Sequence, residues 1–162
     1  MFELQRLRPD HEGAVLVFEQ ANRAYFAEWV SDRGDDFFEE FAERYRELLA
    51  EQESGVCVFH VLVDEDETVV GRFNLYDLAE GTAAVGYRVA QRNSGRGVAT
   101  SGLRSLCRIA AEEFGLRTLR AATSNENVAS QRVLAKAGFV AIGPTEVGGR
   151  QGVWHELALA SL

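Results

Sequence analysis

From Val89 to Thr100 the chain reads V-A-Q-R-N-S-G-R-G-V-A-T, an apolar strand end that passes through an Arg- and Gly-rich turn directly into a helix. This junction constrains the fold more than any other segment. Gly95 and Gly97 lack a Cβ, so the backbone can adopt positive φ and lie close to a ligand. The free N–H groups of the helix's first turn, at Val98, Ala99 and Thr100, then point into the loop. Arg92 and Arg96 add forked donors that match phosphate oxygens, and Asn93 and Ser94 complete the turn. The expected ligand is a phosphorylated cofactor held at the carboxyl end of a strand, where α/β folds bind ligands.

Two common phosphate loops do not fit. A P-loop requires a lysine after its second glycine, and the only lysine of the chain is Lys136. The dinucleotide fingerprint requires a third glycine, where Thr100 stands. Arg92 to Gly97 instead fills [QR]-x-x-G-x-[GA]. Downstream, Asn127 to Phe139 reads N-V-A-S-Q-R-V-L-A-K-A-G-F. The two motifs, in this order and spacing, resemble the coenzyme A loop and the following helix of the GNAT superfamily of N-acetyltransferases, in the branch that includes the ribosomal-protein acetyltransferases RimJ and RimL. The similarity is specific over residues 68–162 and general over the N-terminal third.

Periodicity yields a matching order of elements. Phe2 to Leu7 alternates as a strand, and a helix begins at Pro9-Asp10 with Ala14, Phe18, Ala21 and Tyr25 on one face. A second helix begins at Asp36, with Glu39 as a capping-box partner and a stripe of Phe37, Phe41, Tyr45, Leu48 and Leu49. Strands at 56–63, 68–77 and 82–90 form a meander. A long helix from the phosphate loop to Gly115 and a strand over 116–123 complete a βαβ crossover. A short helix over 128–137 and strands over 139–145 and 152–160 follow. The expected fold is α/β (α+β) of the GNAT type: about seven strands in a mixed, mostly antiparallel sheet, about four helices, in the order β-α-α-β-β-β-α-β-α-β-β. Residues 1–162 are expected to form a single domain.

Charge bears on the partner. The net charge is −8, and residues 1–55 carry all of it, with 14 Asp+Glu against 6 Arg. Beyond them Arg88, Arg92, Arg96, Arg104 and Arg108 follow one another with no acid between, a local positive field around the loop. A pI of about 4.9 argues against nucleic acid. The first residues are too charged for a signal peptide and no run spans a membrane, so the expected location is the cytoplasm. Cys57 and Cys107 read as reduced core thiols, and no metal-ligand spacing occurs.

The resemblance implies acetyl transfer from acetyl-CoA to an amine. It implies that the strand before the loop splays from its neighbour at a bulge near Val89, that Asn127 hydrogen-bonds the pantetheine arm and that Ser130 lies near the coenzyme sulfur in a catalytic position. Arg132 would meet the ribose phosphate. Read as residues alone, Asn127 and Ser130 are equally an N-terminal helix residue and a solvated hydroxyl. The family's usual glutamate base is replaced by Ala84 in A-A-V-G-Y, and its usual tyrosine acid by Leu134. The missing base leaves three readings: direct attack by a neutral amine, catalysis by Glu80 or Asp77 from the preceding turn, or a weakly active acyl-CoA-binding module. Tyr25, Trp29 and Asp35, among the acids of the first helices, are expected to hold a cationic amine, either a protein N-terminus or a small polyamine- or drug-like molecule. A monomer or a homodimer would serve equally.

Overall fold

The computed structural model describes residues 1–161. Seven strands, β1 (Glu3–Arg6), β2 (Val58–Val63), β3 (Val69–Ala79), β4 (Thr82–Val89), β5 (Thr118–Ser124), β6 (Val140–Val147) and β7 (Arg150–Ala158), form one sheet in the order β1-β2-β3-β4-β5-β7-β6. Among the described residues only the β4–β5 pair is parallel. It is joined by α5 (Val98–Phe114), which ends at Gly115 in the left-handed region at φ 60°. The crossover anticipated from sequence is therefore present.

Alternation along the strands builds two cores. Phe59, Val61 and Val63 of β2 face one side of the sheet, against Val15, Phe18, Phe26, Phe41 and Tyr45. Val58 and Leu62 face the other, where Phe73, Leu103, Leu106 and Ala110 pack with α5 and with α6 (Val128–Lys136). The sheet is the middle of three layers.

Each of the two expected N-terminal helices is broken in two, which gives six α-helices. The first becomes α1 (Glu12–Ala21) and α2 (Arg23–Ala27), divided at Asn22, whose side chain donates to the Phe18 carbonyl. The second becomes α3 (Asp35–Glu39) and α4 (Phe41–Ser54), divided at Glu40. The buried face of α1 is Val15, Phe18 and Glu19, one position away from the expected Ala14, Phe18 and Ala21. A hydrophobic pattern cannot place a buried carboxylate, and Glu19 is the residue that shifts the stripe. No described helix is long and apolar enough to cross a membrane.

Candidate functional site

The parallel pairing of β4 with β5 is short. It runs from Thr82↔Thr118 to Ala84↔Arg120 and stops, while β5 continues to Ser124 paired with β7. The two strands thus part in the middle of the sheet, and the splay implied by the resemblance is real. The register irregularity on β3, between Tyr76 and Ala79, lies at the opposite end of β4 from the phosphate loop. A cavity of about 260 Å³ fills the gap, walled by Gly86, Tyr87 and Arg88 on one side and Ala122 and Thr123 on the other. A groove of about 490 Å³ opens beside it, bounded by Tyr25 of α2, Glu28, the β4–α5 loop and α6. Trp29, Val30, Tyr87, Arg88, Asn127 and Ser130 border both, so the two spaces meet there.

The loop is built from backbone. Gly95 and Gly97 sit at φ 72° and 77°, and a Cβ at either would meet nothing within 4 Å. Gly97 caps α5 with no side-chain partner, and Ser101 is the first amide to bond back, to the Gly97 carbonyl. The amides from Gly95 to Thr100 therefore find no acceptor among the described residues. Convergent N–H donors at a helix N-terminus beside a roomy groove fit a diphosphate. Val89, Ser94, Gly95, Gly97, Ala99 and Thr100 line this groove, as do Asn127, Ser130 and Arg132.

Four residues expected at the coenzyme lie elsewhere by side chain. Arg92, Asn93 and Arg96 line a separate cleft opposite the acidic turn Asp64–Asp66. Val98 is 6% exposed and belongs to the core, so only its amide can serve. The expected cationic field is also dispersed: Arg104 donates to the Lys136 carbonyl and Arg88 turns toward Glu19. Beside the loop's amides, Arg88, Arg132 and Lys136 border the groove.

Where the two spaces meet, the Tyr87 hydroxyl lies 2.7 Å from Ser130 Oγ. Burial pushes the Tyr87 hydroxyl up to about 12, against the opposing effect of the Ser130 hydrogen bond, so it is protonated at neutral pH. Its ring stacks on Phe73 at 5.8 Å. Phe73 in turn fits over Gly102 of α5, where a Cβ would come within 2.3 Å of the ring. Asn127 accepts from the Ser130 amide at 3.2 Å through Oδ1, which caps α6 and leaves its amide group for the groove. Capping and facing the groove are thus compatible. Leu134, fully buried, has no polar part to offer.

The expected base and acceptor residues need correction. Glu80 sits in the β3–β4 turn at φ 51°, the far end of β4 from Val89, and lines neither space. At ~3.3 Å per residue the strand separates them by about 30 Å, so Glu80 is removed from the site; Asp77, at the same end, lines neither space as well. Asp35 is exposed and accepts from Arg23 at 2.9 Å, and Asp32 takes the same guanidinium at 2.7 Å. That Arg23 hydrogen bond holds the Asp32 carboxyl down at about 2. Asp32 and Asp35 are therefore paired with Arg23 and line neither space, whereas Glu28 borders the larger groove. Tyr25 walls the larger groove only, whereas Trp29 borders both.

Two features of the smaller cavity escaped the sequence. Arg33, Arg72 and Arg88 line it and converge on Glu19, which is 2% exposed, at 3.1, 2.9 and 3.4 Å. Burial would raise the Glu19 carboxyl, but the three guanidiniums outweigh it and hold the group below the usual carboxylate range. Arg72 and Arg88 are direct cross-strand partners on β3 and β4, a like-charge pairing that is unfavourable without a counter-charge. That clash is the one signal available, and it appears only once the register is known. Thr123, also in the cavity wall, shares a 2.9 Å hydrogen bond with buried His155, a histidine given no role by its spacing.

Comparison with known proteins agrees with this geometry. The family model described as an acetyltransferase (GNAT) domain matches residues 2–140. A probable N-acetyltransferase, YjcK of Bacillus subtilis (strain 168), is 28% identical over 150 residues, covering 87% of this chain and 82% of its own. Among solved structures, the ribosomal-protein-S5-alanine acetyltransferase from Vibrio fischeri superposes with a TM-score of 0.89 at 19% identity, over 97% of this chain and 92% of that one. Spermidine N-acetyltransferase from Vibrio cholerae, in complex with CoA and spermine, gives 0.83 at 16% identity, over 98% and 96%.

Proposed function

The chain belongs to the acetyltransferase (GNAT) domain family and is an acetyl-CoA-dependent N-acetyltransferase, and we propose that it acetylates a primary amine admitted through the β4–β5 gap, a peptide or protein N-terminus ahead of a polyamine. The observation that carries this reading is the meeting of two spaces at Tyr87, Asn127 and Ser130. In it residues 1–162 act as one domain.

When bound, acetyl-CoA supplies an activated thioester carbonyl. The amides of Gly95 to Thr100 would hold the diphosphate, and Asn127 would orient the arm from the first turn of α6. The open edge of β4 at Val89 offers unpaired main-chain groups to the same arm. The amine nitrogen forms its new bond to the acyl carbon as the C–S bond breaks, and the departing sulfur takes a proton. Tyr87, protonated and hydrogen-bonded to Ser130, is the donor in place of the absent tyrosine at position 134. Ser130 is then a proton partner and not a nucleophile. The amine's proton passes to the Thr123 hydroxyl as that hydroxyl hands its own proton to Nε2 of His155, whose neutral form burial favours.

Polyamine acetylation, the activity named for one structural neighbour, is the less favoured acceptor class because three arginines line the cavity. Thiol release from acetyl-CoA decides the matter, measured with short N-terminal peptides beside spermidine and spermine. Faster release with peptides is expected. Release with polyamines alone would overturn the choice of acceptor.

A further inference from the structure

The smaller cavity carries a charge imbalance. Among its described lining residues are three arginines and no Asp or Glu. Glu19, behind them, is one carboxylate shared by three guanidiniums: Oε1 accepts from Arg33 and Arg88, Oε2 from Arg72. Two positive charges remain uncompensated where Arg72 is 6% exposed by side chain and Arg88 is 23% exposed. The repulsion is felt, since burial, with Arg33 and Arg72 adding to it, brings Arg88 down to about 10. Faces of Phe26 and Phe37 lie under Arg88 and Arg33, at 4.6 and 4.8 Å, and offset part of it. Among the described residues, only Nη1 of the Arg72 fork has a side-chain acceptor. An excess of guanidinium charge lining a cavity is unfavourable until an anion completes it.

Position specifies the anion. Tyr87 and Arg88 are adjacent on β4, so their side chains leave by opposite faces of the sheet. Tyr87 meets α6 at Ser130, and Arg88 meets α1 at Glu19. Both groups line the same cavity of about 260 Å³, so a ligand in the gap can present one end to the Tyr87–Ser130 pair and the other to the arginines, and the size of the cavity limits what lies between them to about one residue. On the functional reading above, the first end is the reacting amine. We propose that the acceptor carries a carboxylate within about one residue of its amine, seated on Arg33, Arg72 and Arg88. A planar carboxylate matches the guanidinium fork, and a polyamine meets repulsion there instead. A free amino acid and a peptide N-terminus followed by an acidic side chain both present this chemistry.

The test uses matched acceptors with the full chain and follows thiol release, with the acetylated product identified by mass. One arm compares glutamate and aspartate with their fully amidated forms. The second compares Ala-Glu and Ala-Asp peptide amides with Ala-Gln and Ala-Asn. Spermine is the third. In at least one of the first two arms the carboxylate-bearing acceptor is expected to show a kcat/KM at least tenfold higher, and the arm that does so identifies the source. Arg33→Gln, at the most exposed of the three arginines, should raise KM for the carboxylate acceptor at least fivefold. It should leave KM for the amidated partner and for acetyl-CoA within twofold. Arg72→Met should raise the same KM at least as far; if it fails to fold, Arg33→Gln carries the test alone. Transfer indifferent to the carboxylate in both arms, or led by spermine, overturns this proposal while the N-acetyltransferase reading stands. No release above hydrolysis with any acceptor overturns both.

Discussion

The Tyr87 hydroxyl and Ser130 Oγ, 43 positions apart in the chain, lie 2.7 Å from each other at the junction of the two ligand spaces. Tyr87→Phe removes the only proton of that pair held on a buried phenol. If it protonates the leaving sulfur, kcat falls on the order of 10²-fold, with KM for acetyl-CoA within a factor of two. Steady-state kinetics checks this. An unchanged kcat would leave Tyr87 as a packing residue over Phe73.

Coenzyme binding should depend on main chain more than on arginine. Gly97→Val places a branched side chain at φ 77° and in the groove mouth, so acetyl-CoA affinity should fall at least tenfold. Arg96→Glu, in the cleft beside Asp64–Asp66, should cost less, and its effect should fade with added salt. Calorimetry with coenzyme A at two ionic strengths separates them; a larger loss in Arg96→Glu would mean that this side chain swings into the groove.

Gly102 tests how the Tyr87 ring is held. Its added methyl in Gly102→Ala would overlap Phe73, and overpacking of this kind costs about 1–3 kcal/mol. The melting temperature should drop by roughly 2–12 °C. Because Phe73 stacks on Tyr87, kcat should fall as well. Loss of stability with full activity would uncouple the two.

Acid should weaken the fold before ordinary carboxylates titrate. Burial is the main reason that His60 is lowered to about 4 from 6.5, and its Nδ1 has no partner among the described residues. The neutral form is the folded form, so the unfolded chain binds the extra proton below pH 6.5. Stability from this group is complete above pH 6.5 and is lost as pH falls toward 4, by about 3 kcal/mol at most. His11 and His155 are lowered by burial too and add to the trend. Urea midpoints between pH 7 and 5 should decline less steeply in His60→Gln; an equal slope would assign the loss to the other two histidines.

The carboxylates paired with Arg23 should be kinetically silent. Asp35→Asn removes one of two carboxylates bound to Arg23, at a position that lines neither space, and should leave acceptor KM within twofold. A severalfold increase would return Asp35 to the acceptor path.

Local rules made the strand–loop–helix junction legible in the amino-acid order. Positive φ at Gly95 and Gly97, free amides at the start of α5 and a cap at Asn127 are each settled within a few residues. The βαβ crossover follows from the same alternation of periods. Strand register and side-chain facing were not legible, and with them went the acceptor site. Glu80 stands near the motif in number and at the wrong end of a strand in space. Glu19 is 53 positions from Arg72 and 69 from Arg88, so nothing in their neighbourhoods announces a shared cluster. The sequence by itself thus determined the fold family, the coenzyme and the conformation of the glycine loop, because backbone conformation and hydrophobic periodicity are short-range properties. Only tertiary structure decided which hydroxyls meet, where the sheet opens and what charge lines the opening, because Coulomb and hydrogen-bond partners are chosen by distance in space.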